Sequence, residues 1–157
     1  MSFDPARDST RFPTRTSPPL YPEREVRDIV RLLVDSSKCL ETASGLIENG
    51  VIARALVDIS HMRRRAADTV MALAADAGVV VREHVSGTLG GAIDTSVTQL
   101  SADDDAGVIQ DVVARDDRLI VRLDAALGED LPPAVKDHVR LIGAQVRDGL
   151  RSMAGWA

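Results

Sequence analysis

The chain has 157 residues, 45% of them apolar but only 3% aromatic, and a formal net charge of −5. That length carries one domain with a substantial core and is short for two. A core of Ala, Val, Leu and Ile suits close helix–helix packing better than a sandwich or barrel, and the acidic balance speaks against a general polyanion binder, which needs basic surface.

The one cysteine, Cys39, excludes an intrachain disulfide and suits a reducing compartment. The N-terminal stretch has no apolar run of the signal-peptide kind. No segment reaches the ~18 uninterrupted apolar residues of a membrane span. The expectation is a soluble cytoplasmic protein with no membrane insertion.

Residues 1–22 hold five of the seven prolines, mixed with Ser, Thr, Arg and Asp. Such a segment buries too little apolar surface to offset its ordering entropy and is expected to be a disordered tail. Phe3, Phe12 and Tyr21 are its anchors if a protein partner orders it. From residue 23 to 157 the pattern predicts a single four-helix-bundle domain.

Val26, Val30, Leu33, Ser37, Leu40, Ser44 and Ile47 recur at spacings of three and four, which predicts a helix over about 23–48 that stops at Asn49-Gly50. A second stripe runs through Leu56, Ile59, Arg63, Ala66, Val70, Leu73 and Ala77 to Gly78. The long link 79–105 follows. Within it Leu89, Ile93, Val97 and Leu100 predict a short extra helix near 88–100, and Val79-Val80-Val81 is read as extended chain or as more of helix 2. Asp103-Asp104-Asp105 places negative charge where a helix start favours it. A third stripe takes Ile109, Val113, Asp116, Ile120, Leu123 and Leu127. The fourth begins after Leu131-Pro132-Pro133 and takes Val135, Val139, Ile142, Val146, Gly149 and Met153. The fold class is all-α, an up-down-up-down four-helix bundle with the extra helix in the crossover between helices 2 and 3.

Polar residues interrupt three of the stripes: Ser37 and Ser44 on helix 1, Arg63 on helix 2, Asp116 on helix 3. Ser37, Arg63 and Asp116 each fall near mid-helix and should share one level. A buried arginine without an anion costs several kcal/mol. Asp116 is therefore the expected partner of Arg63, Ser37 completes the polar core, and Asp35 is a flanking alternative.

The segment Asp58-Ile59-Ser60-His61-Met62-Arg63-Arg64-Arg65 invites two other readings, a metal half-site and a nucleic-acid patch. Helical phase puts Asp58 about 110° from the centre of the inward stripe, and His61 further still. Both therefore face solvent or a neighbouring subunit. Arg64 and Arg65 are surface charges and Arg63 turns inward, which leaves too few clustered cations for backbone binding; no nucleic-acid partner is expected. Gly87-x-x-x-Gly91 lacks the Lys-Ser/Thr of a phosphate loop. Cys39 lies one position off the inner stripe and reads as a packing residue. His61, His84 and His138 stand outside the stripes. No nucleophile–base set is visible, and no catalytic residue or cofactor is assigned.

Several stretches together resemble a bacterial family of ferritin-like four-helix bundles known as a domain of unknown function. Asp35-Ser36-Ser37-Lys38-Cys39-Leu40-Glu41-Thr42-Ala43-Ser44 is similar to its helix 1 pattern Asp-Gly-x-x-Gly-Tyr-x-x-Ala-Ala. Leu56-x-x-Ile59-x-x-x-Arg63-x-x-Ala66-Ala67 resembles its helix 2 pattern, inward arginine included. Ser86-Gly87-Thr88-Leu89 resembles the start of its crossover helix. Asp116-Asp117 stands where the family tends to have Glu-Asp, and Asp130-Leu131-Pro132-Pro133-x-Val135-Lys136 resembles its last hairpin. The likeness covers about residues 24–153 and implies a ferritin-like bundle with a stress-linked role and no established reaction.

Ferritin-like di-metal sites need a Glu from each of two helices and Glu-x-x-His from each of the other two. Here Ser37 and Gly45 stand where helix 1 would carry acids, helix 2 has no Glu, and Asp137-His138 are adjacent rather than spaced. One inward Asp and no inward His do not hold two metal ions. The expected role is a non-enzymatic, self-associating interaction or scaffold protein, most simply a homodimer, using Leu32, Ile29, Leu46 and Met62 beside the stripes. The alternative is a ferritin-like metal-binding protein or oxidase with a degenerate or intersubunit site recruiting Asp58, His61 or His138.

Overall fold

A computed structural model describes residues 21–82 and 104–156. Among them the chain forms four helices and no strand: α1 Glu23–Leu46, α2 Gly50–Asp76, α3 Asp105–Ala126 and α4 Pro133–Ala154. The expected extra helix at 88–100, Gly87, Gly91 and His84 lie outside the described residues, as does the tail up to residue 20. Tyr21 is half-buried against the base of the core.

Local chemistry sets each boundary. Pro22 precedes α1, whose first turn carries Glu23 and Glu25, charges that the dipole favours there. The Asn49 side chain caps α2, accepting from the N–H groups of Val51 at 3.0 Å and Ile52 at 3.2 Å. The Asp104 carboxylate caps α3 through the Gly107 N–H at 2.7 Å, and proline opens α4. α2 stops in a Schellman turn: Gly78 takes φ +85°, and the Val79 N–H reaches back to the Ala74 carbonyl at 2.8 Å. Val79 therefore leaves the helix and plugs the core, 2% exposed, while Val80 points out.

α1 packs against α2 and α3, and α4 packs against the same two, so α2 and α3 lie on a diagonal of the bundle. The direction of α3 corrects the expected order. The Asp105 carboxylate accepts the backbone N–H groups of Glu48 at 2.8 Å and Asn49 at 3.0 Å, so α3 starts where α1 ends. α3 runs parallel to α2, and the arrangement is up-down-down-up. Residues 83–103 thus join opposite ends of the bundle. The short links force α1–α2 and α3–α4 to be antiparallel hairpins. A link of that length also spans α2, which is 27 residues long, or about 40 Å at 1.5 Å per residue, so linker length alone leaves the direction of α3 open.

The core consists of two apolar clusters. At the end where α1 begins, Leu33, Val70, Leu123 and Val139 meet; at the other end Leu40, Leu56, Ile109 and Met153 meet. Between them lies a polar layer of Ser37, Ser60, Arg63 and Asp116, all buried.

The inward faces differ in detail from the expected stripes. α3 buries Val108, Val112 and Leu119 and leaves Val113, Ile120 and Leu127 half-buried. Adjacent apolar pairs such as Val112-Val113 leave the sequence with two equally good phases. On α1, Ala43 fills the core, while Ser44 is half-buried and bonds the Glu41 carbonyl at 2.6 Å. On α2, Ser60, Ala67 and Ala74 are buried, whereas Ile59 and Leu73 are half-buried and Ala77 is exposed.

Candidate functional site

The mid-bundle layer is built from side chains that α1, α2 and α3 turn inward at one level. Arg63 reaches across the diagonal to Asp116: Nη1 donates to Oδ1 at 3.0 Å and Nη2 to Oδ2 at 2.8 Å. Their side chains are 5% and 4% exposed. The forked geometry matches guanidinium to carboxylate. It also satisfies two groups that would otherwise be costly to bury.

The serines divide their work differently from the expectation. The second hydrogen of Arg63 Nη1 goes to Ser36 Oγ at 2.6 Å. Ser37 faces α2 instead, its Oγ 3.0 Å from Ser60 Oγ, while the Ser60 hydroxyl donates to the Ser37 carbonyl at 2.9 Å. One residue along a helix turns the side chain about 100°, which sends Ser36 toward the arginine and Ser37 toward α2. The sequence held a signal for Ser60: Leu56, Ser60, Arg63, Ala67, Val70 and Ala74 form a four-three stripe as regular as the one through Ile59.

Two grooves flank the layer. The α1–α3 groove, about 240 Å³, has Asp116 and Ser36 in its wall beside Asp35, Cys39 and Leu119, with Arg118 and Arg122 on α3. Asp35 makes no bond to Arg63; it is half-buried, and one of its carboxylate oxygens is buried without a partner. Burial pushes its pKa up, against the pull of Lys38 and Arg31. Burial also pushes up the Cys39 thiol, with Arg115 the largest opposing influence. The α2–α4 groove, about 420 Å³, includes Arg63, Ile59, Met62, Ile142, Gly149 and Trp156 in its lining.

The metal candidates do not come together within one chain. Asp58 and His61 are exposed on α2, and Asp58 lies 3.7 Å from Arg54. His138 is near the start of α4, toward the opposite end of the bundle, half-buried with Nε2 lacking a partner. Burial lowers its pKa. Among the described residues no three His, Cys, Asp or Glu side chains are grouped to hold a metal ion. Arg64 and Arg65 are exposed. No helix among the described residues is long and apolar enough to cross a membrane.

The face expected for dimerisation does not exist as one surface. Ile29 is 1% exposed, Leu32 lines the α1–α3 groove, and Met62 lines the α2–α4 groove on the far side. Comparison with protein-family models, curated proteins and solved structures gives no match to this chain.

Proposed function

We propose that the chain works by binding rather than by catalysis, as a ferritin-like bundle that self-associates in a cytoplasmic, stress-related setting of the kind the family resemblance suggests. One long connection between two hairpins is the connectivity of ferritin-like bundles and supports that part of the reading. The observation that carries self-association is the α2–α4 face. Met62 is 41% and Leu141 52% exposed there, beside half-buried Ile59 and Trp156. Leu141 shares its flank of α4 with Gln145 and Asp148, which line the groove. Clustered apolar side chains at a surface favour association.

The metal-binding or oxidase alternative needs ligands from more than one copy, because the described residues of one chain group no three of them. Light scattering at two protein concentrations tests the preferred reading, together with metal analysis of untagged protein. The expected result is a concentration-dependent dimer that Met62→Lys and Leu141→Lys convert to monomer. A wild-type monomer at every concentration would sink self-association. Stoichiometric metal lost in His61→Ala would install the alternative.

A further inference from the structure

We propose that the α1–α3 groove binds a small amphipathic monoanion, a medium-chain carboxylate whose head group lies at Arg118 and Arg122 and whose apolar body runs along the groove toward Val112. The site is on the side of the bundle opposite the self-associating face, and the inference does not rest on that reading.

Hydrogen bonds fix the register of the two walls. Arg63 holds Ser36 of α1 and Asp116 of α3 at once, so those two residues share a level. α1 and α3 run antiparallel, since Asp105 at the start of α3 meets Glu48 and Asn49 just after α1. Leu40 therefore falls level with Val112, and Leu32 with the turn from Arg118 to Arg122. The rise from Val112 to Arg122 is about 15 Å at 1.5 Å per residue. The volume of about 240 Å³ is below the ~300–1,000 Å³ of sites for drug-sized ligands, which limits the occupant to roughly eight carbons.

The two ends of the groove differ in chemistry. One end is lined by Cys39, Leu40 and Val112, all buried. At the other, Leu32 lies beside Arg118 and Arg122, two exposed arginines four residues apart on α3. That spacing puts them on one helix face. Arg118 bonds the Ala114 carbonyl through Nε at 3.2 Å, and neither arginine forms an ion pair with a described residue. Between the ends, Ser36 and Asp116 are already engaged with Arg63.

Charge selects the head group. Asp116 is matched by Arg63, so Asp35 is the acid of the lining set against Arg118 and Arg122. A carboxylate meets two guanidinium groups able to donate charge-assisted hydrogen bonds, while its apolar body leaves water along the groove. An ammonium meets the same two cations and is repelled. Asp35 opposes a dianion more strongly than a monoanion.

Calorimetric titration of the full-length protein with octanoate, octanol, octylammonium and acetate tests the site, with Trp156 emission followed in parallel. Octanoate should saturate at about one per chain with a Kd in the millimolar range or below, and octanol should bind roughly tenfold more weakly. Octylammonium and acetate should give no saturable heat. Trp156 lines the opposite groove, so its emission should stay constant. Arg118→Gln combined with Arg122→Gln alters two exposed side chains, and its thermal melt should match the wild type while its octanoate affinity falls to that of octanol. Arg118→Lys with Arg122→Lys keeps the charge and should retain most of the affinity. Absence of saturable octanoate heat, equal binding of octylammonium, an octanoate-dependent shift of Trp156, or full octanoate affinity in the glutamine double variant would each overturn the site.

Discussion

Arg63 and Asp116 join helices that do not otherwise face each other. Their two hydrogen bonds, 3.0 and 2.8 Å long, cross the diagonal between α2 and α3 and divide the apolar core into two clusters. An ion pair in that place contributes little net stability over an apolar pair of similar shape, yet breaking it leaves a charge stranded. It therefore acts on specificity: it holds α2 and α3 in register at mid-bundle, where no turn connects them.

The first prediction follows from that asymmetry. Arg63→Ala should destabilise the fold by about 3–5 kcal/mol, because Asp116 is left buried and unpaired. Arg63→Met combined with Asp116→Leu should recover most of the loss. Urea melts of Arg63→Ala, of Arg63→Met and Asp116→Leu singly, and of the double variant provide the measurement. Additive losses in the double variant would show that the two side chains act independently.

Much of this layer is legible in the sequence, and the reason is geometric. Arg63 is the fourteenth of 27 residues in α2, and Asp116 the twelfth of 22 in α3. A mid-helix residue keeps its level when the helix is reversed, so the pairing is readable even though the direction of α3 is not. That direction depends on Asp105 accepting the Glu48 and Asn49 N–H groups, a contact without periodic signature. The choice of Ser36 over Ser37 is likewise hidden, since it depends on where the guanidinium ends. Gly149 reads as a gap in a stripe; only packing shows that it lines the α2–α4 groove together with Arg63.

Cys39 supplies a second prediction. Its side chain is buried, 7% of the residue being exposed, and burial raises its pKa. Little thiolate exists at neutral pH, and the thiolate is the reactive species. Iodoacetamide should modify native protein slowly and urea-unfolded protein quickly. A native rate close to the unfolded one would show an accessible, activated thiol.

A third prediction concerns two glycines of α4. Gly149→Ala should stabilise by roughly 0.5–1 kcal/mol, since glycine inside a helix is entropically costly and the added Cβ has room. At Gly143 the Cβ would sit 3.4 Å from Arg147 Nη1, and Arg147 holds Asp124 on α3 at 2.9 Å. Gly143→Ala should therefore gain less, because the arginine must shift. Thermal melts of the two variants side by side decide the matter, and equal gains would remove the role given to Arg147.

His138 supplies the last prediction. Burial lowers its pKa from an ordinary value of 6.5, and its Nε2 has no hydrogen-bond partner. The unfolded chain therefore holds a proton on this residue at pH values where the folded chain does not. Stability rises with pH wherever the unfolded state binds more protons. The contribution of His138 is thus flat above 6.5 and falls as the pH drops through that value toward the lower folded pKa. His138→Leu keeps an apolar body on α4 and removes the titration. Denaturation midpoints taken between about pH 5.5 and 7.5 should fall toward acid in the wild type and flatten in the variant. An unchanged slope in His138→Leu would assign the acid sensitivity to another group.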